Sequence, residues 1–222
     1  MDKLTRKNYF LNLLRYYLTG VYTAKGLGYD QALIMKKNIS RIQGYFQTHK
    51  YYDHLLSSGS IPALELYKKS KWFTDLYSIL VSKRVVVIHI RRGDYNKLTS
   101  SIGLLSRDYY ISAISQIQSI LPNSELWVFS DEINEAKELF YGINLEISKW
   151  VIPPDGNDPA ESLVLMSYGK AIITANSSFS WWAAATGNNL KTVITPYPWF
   201  KNLEEPENLI PDHWIRVPSS WK

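Results

Sequence analysis

A chain of 222 residues, 45% hydrophobic and 20% charged, can bury one large domain, or one domain with an appended partial one, and does not have a disordered composition. It contains no cysteine, which excludes a disulfide framework and a thiolate metal site and fits a reducing compartment. No apolar run reaches the roughly 18 residues that a membrane-spanning helix needs, and no signal-peptide core opens the chain, so a cytoplasmic protein is the expectation.

The net charge of +5 is unevenly placed. Lys3, Arg6, Lys7, Arg15, Lys25, Lys36, Lys37, Arg41 and Lys50 face only Asp2 and Asp30, among Tyr9, Phe10, Leu11, Leu13, Leu14, Tyr16, Tyr17 and Leu18. Three readings of this end stand side by side. It lies peripherally on an anionic inner-membrane surface, it binds nucleic acid, or it is a solvated helix face packed on its own domain. No recognised nucleic-acid module accompanies the modest charge, which speaks against the second, so no nucleic-acid partner is expected. Residues 1 to about 80 read as helical and irregular, with no strong strand.

From Arg84 the pattern changes. Strand candidates 84–91, 125–130, 148–152, 171–175 and 192–196 alternate with helix candidates 107–121, 132–141, 160–169 and 180–187. That alternation predicts an α/β fold, a Rossmann-like parallel sheet with helices on both faces. Ser106 is placed to cap the helix at 107, Pro122-Asn123 to end it, and the turn-rich loop 153–159 to edge the cleft.

The first strand carries the most chemistry. Val85–Tyr95 reads as a buried β-branched run that ends in His89, Arg91, Arg92, Gly93 and Asp94. In open α/β sheets ligands bind at such carboxyl ends. Residues two apart on a strand share a face, so His89 and Arg91 project together and Arg92 to the other side. One arginine is then free to meet phosphate oxygens, for which a planar guanidinium is suited, while its neighbour pairs internally with Asp94. Arg-Gly-Asp also matches an integrin-binding tripeptide, but such ligands occupy exposed loop tips, and this one follows a core strand. A purely structural ion-pair cluster is the stronger alternative.

Three more groups fall at the same sheet edge. Ser130-Asp131-Glu132 closes the second strand, with its acids either capping the next helix or lining the site; capping is the favoured reading. Asn176, Ser177, Ser178 and Phe179 close the fourth strand and open a helix, where backbone amides and hydroxyls form a ready anion site. Trp181 and Trp182, inside that helix start, read as core anchors. Glu161, at the start of the preceding helix, is a carboxylate suited to a purine edge. There is no Walker loop, no Gly-x-Gly-x-x-Gly turn and no Asp-x-Asp metal pair. A metal-independent site with arginine in charge of the phosphates is the simpler reading.

These residues resemble the bacterial galactoside α-1,2-fucosyltransferases, glycosyltransferase family 11. His-x-Arg-Arg-Gly-Asp-Tyr at 89–95, Phe129-Ser130-Asp131, Leu165-Met166-Ser167 and Asn176-Ser-Ser-Phe-Ser-Trp-Trp at 176–182 occur in the family's order and spacing. Pro198-Trp199-Phe200 and Leu209-Ile-Pro-Asp-His-Trp at 209–214 follow suit, and Gly44-Tyr45-Phe46-Gln47 looks like the family's Gly-Tyr-Trp-Gln. The resemblance implies transfer of L-fucose from GDP-fucose to the 2-hydroxyl of a galactose-containing glycan or lipid-linked oligosaccharide, inverting and without metal or other cofactor, in O-antigen or surface polysaccharide synthesis. It implies residues 81–222 as the GDP-fucose-binding lobe of a GT-B-like fold and residues 1–80 as a helical remnant of the acceptor-side lobe.

By position, Arg91 would hold the β-phosphate, His89 would lie beside the nucleotide, Arg92 with Asp94 would brace the loop, and Ser177, Ser178 and Phe179 would close around the diphosphate and fucose. Two departures stand out. The family's opening strand and Gly-Gly-x-Gly-Asn-Gln turn are missing, and Ser162 replaces an acid expected to read guanine, leaving Glu161 as the substitute. The alternative reading is a truncated, non-catalytic nucleotide-binding remnant or interaction module.

Overall fold

The computed structural model describes residues 12, 15–24, 26–59, 64, 66–187 and 192–222. Of the basic, aromatic end, Asp2, Lys3, Arg6, Lys7, Tyr9, Phe10, Leu11, Leu13, Leu14 and Lys25 lie outside the described residues. The chain divides into two compact units, Met1–Ile61 with Glu205–Pro211, and Pro62–Glu204 with Asp212–Lys222.

In the first unit, β1 (Val21–Thr23) pairs in parallel with β2 (Arg41–Gln43). The sequence shows no strong strand there, and the two strands found are short. Each strand is three residues long and β2 is exposed throughout, so neither shows the alternation by which a strand is recognised. Between them runs α1 (Gln31–Met35), whose start is capped by Asp30 accepting from the Ala32 amide at 3.1 Å. The α2 helix (Lys50–Ser57) follows. Tyr17, Leu18 and Met35 are exposed, and the Lys36 ammonium lies 4.8 Å from the Tyr16 ring centroid and 5.5 Å from that of Tyr17.

The second unit holds the six-stranded parallel sheet. Its strands are β3 (Val85–Ile90), β4 (Glu125–Ser130), β5 (Lys149–Val151), β6 (Ala171–Ile173), β7 (Thr192–Tyr197) and β8 (Ile215–Pro218), in the order β5-β4-β3-β6-β7-β8. The helices are α3 (Lys71–Ser82), α4 (Arg107–Ile120), α5 (Ile133–Leu139), α6 (Pro159–Ser167) and α7 (Ser178–Ala185). The predicted strands and helices are all present, and β8 is added at the edge. The sequence boundary at residues 80 and 81 cuts through α3, whose Ser70 cap is bonded to α6 of the sheet unit.

The period of two along β3 sorts its side chains. Val86, Ile88 and Ile90 pack with Tyr109, Tyr110, Ala113, Ile114 and Ile117 of α4 and Ala136 of α5, whereas His89 faces Phe179 of α7 on the other side. Helices therefore cover both faces, as a fully buried parallel strand requires. The chain winds outward from β3 through β4 to β5, then returns to place β6 on the other flank of β3. That reversal creates a crevice between the carboxyl ends of β3 and β6, the place where open α/β sheets take ligands.

Candidate functional site

The crevice is walled by the two stretches singled out in the sequence. The β3 wall is a short 3-10 turn, Gly93–Lys97, which follows directly on the arginines. Arg91 is part-exposed, and its guanidinium forks. Nη2 donates to Asp94 Oδ1 at 2.7 Å, and Nη1 pairs with Asp131 Oδ2 at 3.1 Å. These contacts take two of the five N–H donors of a guanidinium. Below it the Tyr95 ring centroid lies 5.5 Å from the guanidinium carbon.

Asp131 arrives from the end of β4 and is not a helix cap, contrary to the favoured reading. Its Oδ1 accepts the Arg92 amide at 2.9 Å, while the Glu132 amide is met by Ser130 Oγ at 3.1 Å. A Cβ at Gly93 would sit 2.5 Å from Asp131 Oδ2, so glycine is what lets the carboxylate reach both arginines. Asp131 thus clamps the β3 exit instead of starting α5.

The partner of Asp94 differs from the expectation. Arg91, not Arg92, holds Asp94, because the chain turns back within three residues and brings Asp94 over the side that Arg91 occupies. Arg92 is 2% exposed on the α4 side, and neither Nη1 nor Nη2 has a hydrogen-bond partner among the described residues. The Tyr110 hydroxyl is similarly buried without a partner; burial pushes its phenol well up, and the Arg92 charge opposes that.

His89 is 3% exposed, with its ring centroid 5.8 Å from that of Phe179 and Nδ1 unpartnered among the described residues. Burial, reinforced by the Arg91 charge, lowers its pKa from 6.5 to about 3, so the imidazole is neutral at ordinary pH. It is an uncharged edge beside the cleft.

The β6 wall carries no ionisable side chain. Asn176 Nδ2 donates to the Ile102 and Gly103 carbonyls at 3.2 and 3.1 Å, fixing the strand exit. Ser177 is the N-cap of α7, its Oγ accepting the Phe179 amide at 3.3 Å. Ser178 is exposed at the first turn and Phe179 is partly so. Tyr95 connects the walls, its hydroxyl donating to the Asn176 carbonyl at 3.1 Å. Sequence reasoning did not assign Tyr95. The only available signal was its place at the end of the charged motif.

Glu161 is elsewhere engaged. It is 3% exposed, and its two oxygens accept the Ser70 amide and hydroxyl at 2.6 Å each, joining the starts of α6 and α3. The carboxylate offered for a purine edge is a staple between helices, which corrects that expectation. Trp181 is buried as foreseen, but Trp182 is 44% exposed and is not a core anchor. Among the described residues no three His, Asp or Glu side chains gather as a metal site, and no helix is long and apolar enough to cross a membrane.

Residues 74–217 match the family model for glycosyl transferase family 11. The chain is 35% identical over 148 residues to an alpha-1,2-colitosyltransferase of Escherichia coli, covering 64% of this chain and 51% of that protein. It is 34% identical over 140 residues to the O-antigen biosynthesis glycosyltransferase WbnK of Escherichia coli, covering 59% of this chain and 43% of that protein. It spans about half the length of the curated relatives it matches. Among solved structures, POFUT1 in complex with GDP-fucose is similar over 61% of this chain and 48% of that one, at 15% identity and a TM-score of 0.39.

Proposed function

The chain belongs to glycosyl transferase family 11, and from that premise we propose that its sheet unit binds the diphosphate of a GDP-linked deoxy sugar and serves the transfer of that sugar to a glycan hydroxyl. One observation carries the reading: the guanidinium-bearing exit of β3 and the serine-lined start of α7 share one crevice, on strands that pair directly. As the bond between sugar and phosphate lengthens, negative charge grows on the departing nucleotide. The unused N–H groups of Arg91 and the amides at the mouth of α7 are fixed in place before that charge appears, so they stabilise the transition state more than the ground state. The neutral His89 edge and Phe179 lie beside the same space and suit an uncharged part of the donor.

L-fucose is the sugar that the motif resemblance implies, with the 2-hydroxyl of a galactoside as acceptor, inversion at the anomeric carbon, and arginine instead of a metal holding the phosphates. Colitose is the rival donor sugar, favoured by the name of the 35% identical relative. A second reading, donor binding without transfer, is favoured by the half-length match to the curated relatives.

Isothermal titration with GDP, then transfer assays with GDP-fucose and GDP-colitose on β-galactosides, separate these. Absence of heat with millimolar GDP removes the proposal. Binding without transfer selects the second reading, and the preferred donor identifies the sugar.

A further inference from the structure

We propose that Tyr95 is a positioning residue that holds the two walls of the cleft at the spacing of a diphosphate. The inference rests on the reading just given, and assigns the cleft's selectivity for two linked phosphates to a side chain that need not touch them.

Tyr95 meets both walls with different parts of one rigid group. Its ring face lies 5.5 Å from the Arg91 guanidinium carbon, and its hydroxyl donates at 3.1 Å to the Asn176 carbonyl. The ring supports the charged wall from beneath by a cation–π contact, and the hydroxyl fixes the neutral wall at Asn176, the residue before the Ser177 cap of α7. Asn176 is in turn held by the Ile102 and Gly103 carbonyls, further along the loop that begins with Tyr95's own turn. The turn, its loop and the β6 exit therefore form a closed ring of contacts. Burial raises the Tyr95 phenol above its ordinary range, so the hydroxyl keeps its proton and its donor role at neutral and mildly alkaline pH. The geometry has a selective consequence. One phosphate can be held by either wall alone, whereas two phosphates at a covalently set spacing need both walls at matching separation.

Titration of the full chain with GDP and with GMP, for the unaltered protein, Tyr95→Phe, Tyr95→Leu, Arg91→Ala and the Arg91→Ala/Tyr95→Leu pair, tests this. Tyr95→Phe keeps the ring and removes the donor, and should weaken GDP binding about fivefold, the equivalent of one neutral hydrogen bond. Tyr95→Leu should weaken it further, and both should change GMP binding by less than about twofold. In the Arg91→Ala background the Tyr95→Leu loss should largely vanish, because the group it supports is gone.

Equal losses for GDP and GMP, full additivity with Arg91→Ala, or no loss at all would overturn the inference while leaving the functional reading intact. Failure of the unaltered chain to bind GDP overturns both. If Tyr95→Leu does not fold, Tyr95→Phe at an unchanged melting temperature decides the question through its GDP to GMP contrast.

Discussion

The exits of β3 and β6 lie side by side at one edge of the sheet and are built in opposite ways. Around the β3 exit stand Arg91, Arg92, Asp94 and Asp131, two cations and two anions; the β6 exit, Thr174 to Ser177, has no ionisable group and is buried throughout. A charge is costly to remove from water, so Arg91 and Asp94 stay near solvent and close their pair there. Thr174 to Ser177 can be packed dry because their polar groups are satisfied locally: the Thr174 hydroxyl donates to Thr195 at 3.1 Å, and its carbonyl accepts from Tyr109 at 2.7 Å. One wall attracts an anion by side-chain charge held in place by Asp94 and Asp131. The other attracts it by fixed backbone direction, and the cleft combines both.

The contrast can be broken most forcefully on the β3 side by acid. His89 has a folded-state pKa of about 3 against 6.5 when unfolded. Between those values the unfolded chain binds the proton and the folded one refuses it, so stability rises with pH across that window and is lost as pH falls through it. The expected slope is about 1.4 kcal/mol per pH unit, accumulating to about 4–5 kcal/mol. Urea unfolding at pH 7 and pH 4.5 should show His89→Phe losing about 2–3 kcal/mol less than the unaltered chain on acidification. Equal acid losses would mean that His89 is not held neutral.

Next in size is the clamp. Asp131→Ala leaves the buried Arg92 amide without its acceptor and Arg91 with one carboxylate instead of two. A stability loss of about 2–3 kcal/mol by denaturant titration is expected, with Asp131→Asn recovering part of it because an amide oxygen can still accept. Full retention in Asp131→Ala would show the clamp to be idle.

On ligand binding the two walls should separate. Arg91→Ala removes a charge-assisted contact and should cost about 1.5–3 kcal/mol of GDP affinity, measured by titration calorimetry. Ser177→Ala removes a helix cap and should cost about 1 kcal/mol in stability, with a smaller effect on GDP, since the α7 amides themselves remain. A larger GDP loss for Ser177→Ala than for Arg91→Ala would invert the assignment of the walls.

Much of this architecture is legible along the chain. The β-branched run of β3 and the Ser106 cap of α4 carry local signals and are found where periodicity and capping put them, whereas α7 opens at Ser178, two residues before the stretch 180–187 that periodicity marks. The short strands β1, β2 and β8 lack the local apolar run that marks the equally short β5 and β6. At the site, the strand parity that sends His89 and Arg92 to opposite faces could be read from spacing alone. The parts played by Asp94, Asp131 and Glu161 could not.

What the sequence by itself determined is therefore the central strands and helices of the sheet unit, their order, and the gathering of the β3 and β6 exit residues at the carboxyl edge. Burial pattern and capping are written in neighbouring residues, and parallel strands send their ends the same way. Only the tertiary structure decided who partners whom. Asp131 meets Arg92 across 39 residues, Tyr95 meets Asn176 across 81, and Glu161 meets Ser70 across 91. A hydrogen bond is won over a few tenths of an ångström by whichever group the packed fold brings nearest, and no local pattern encodes that distance.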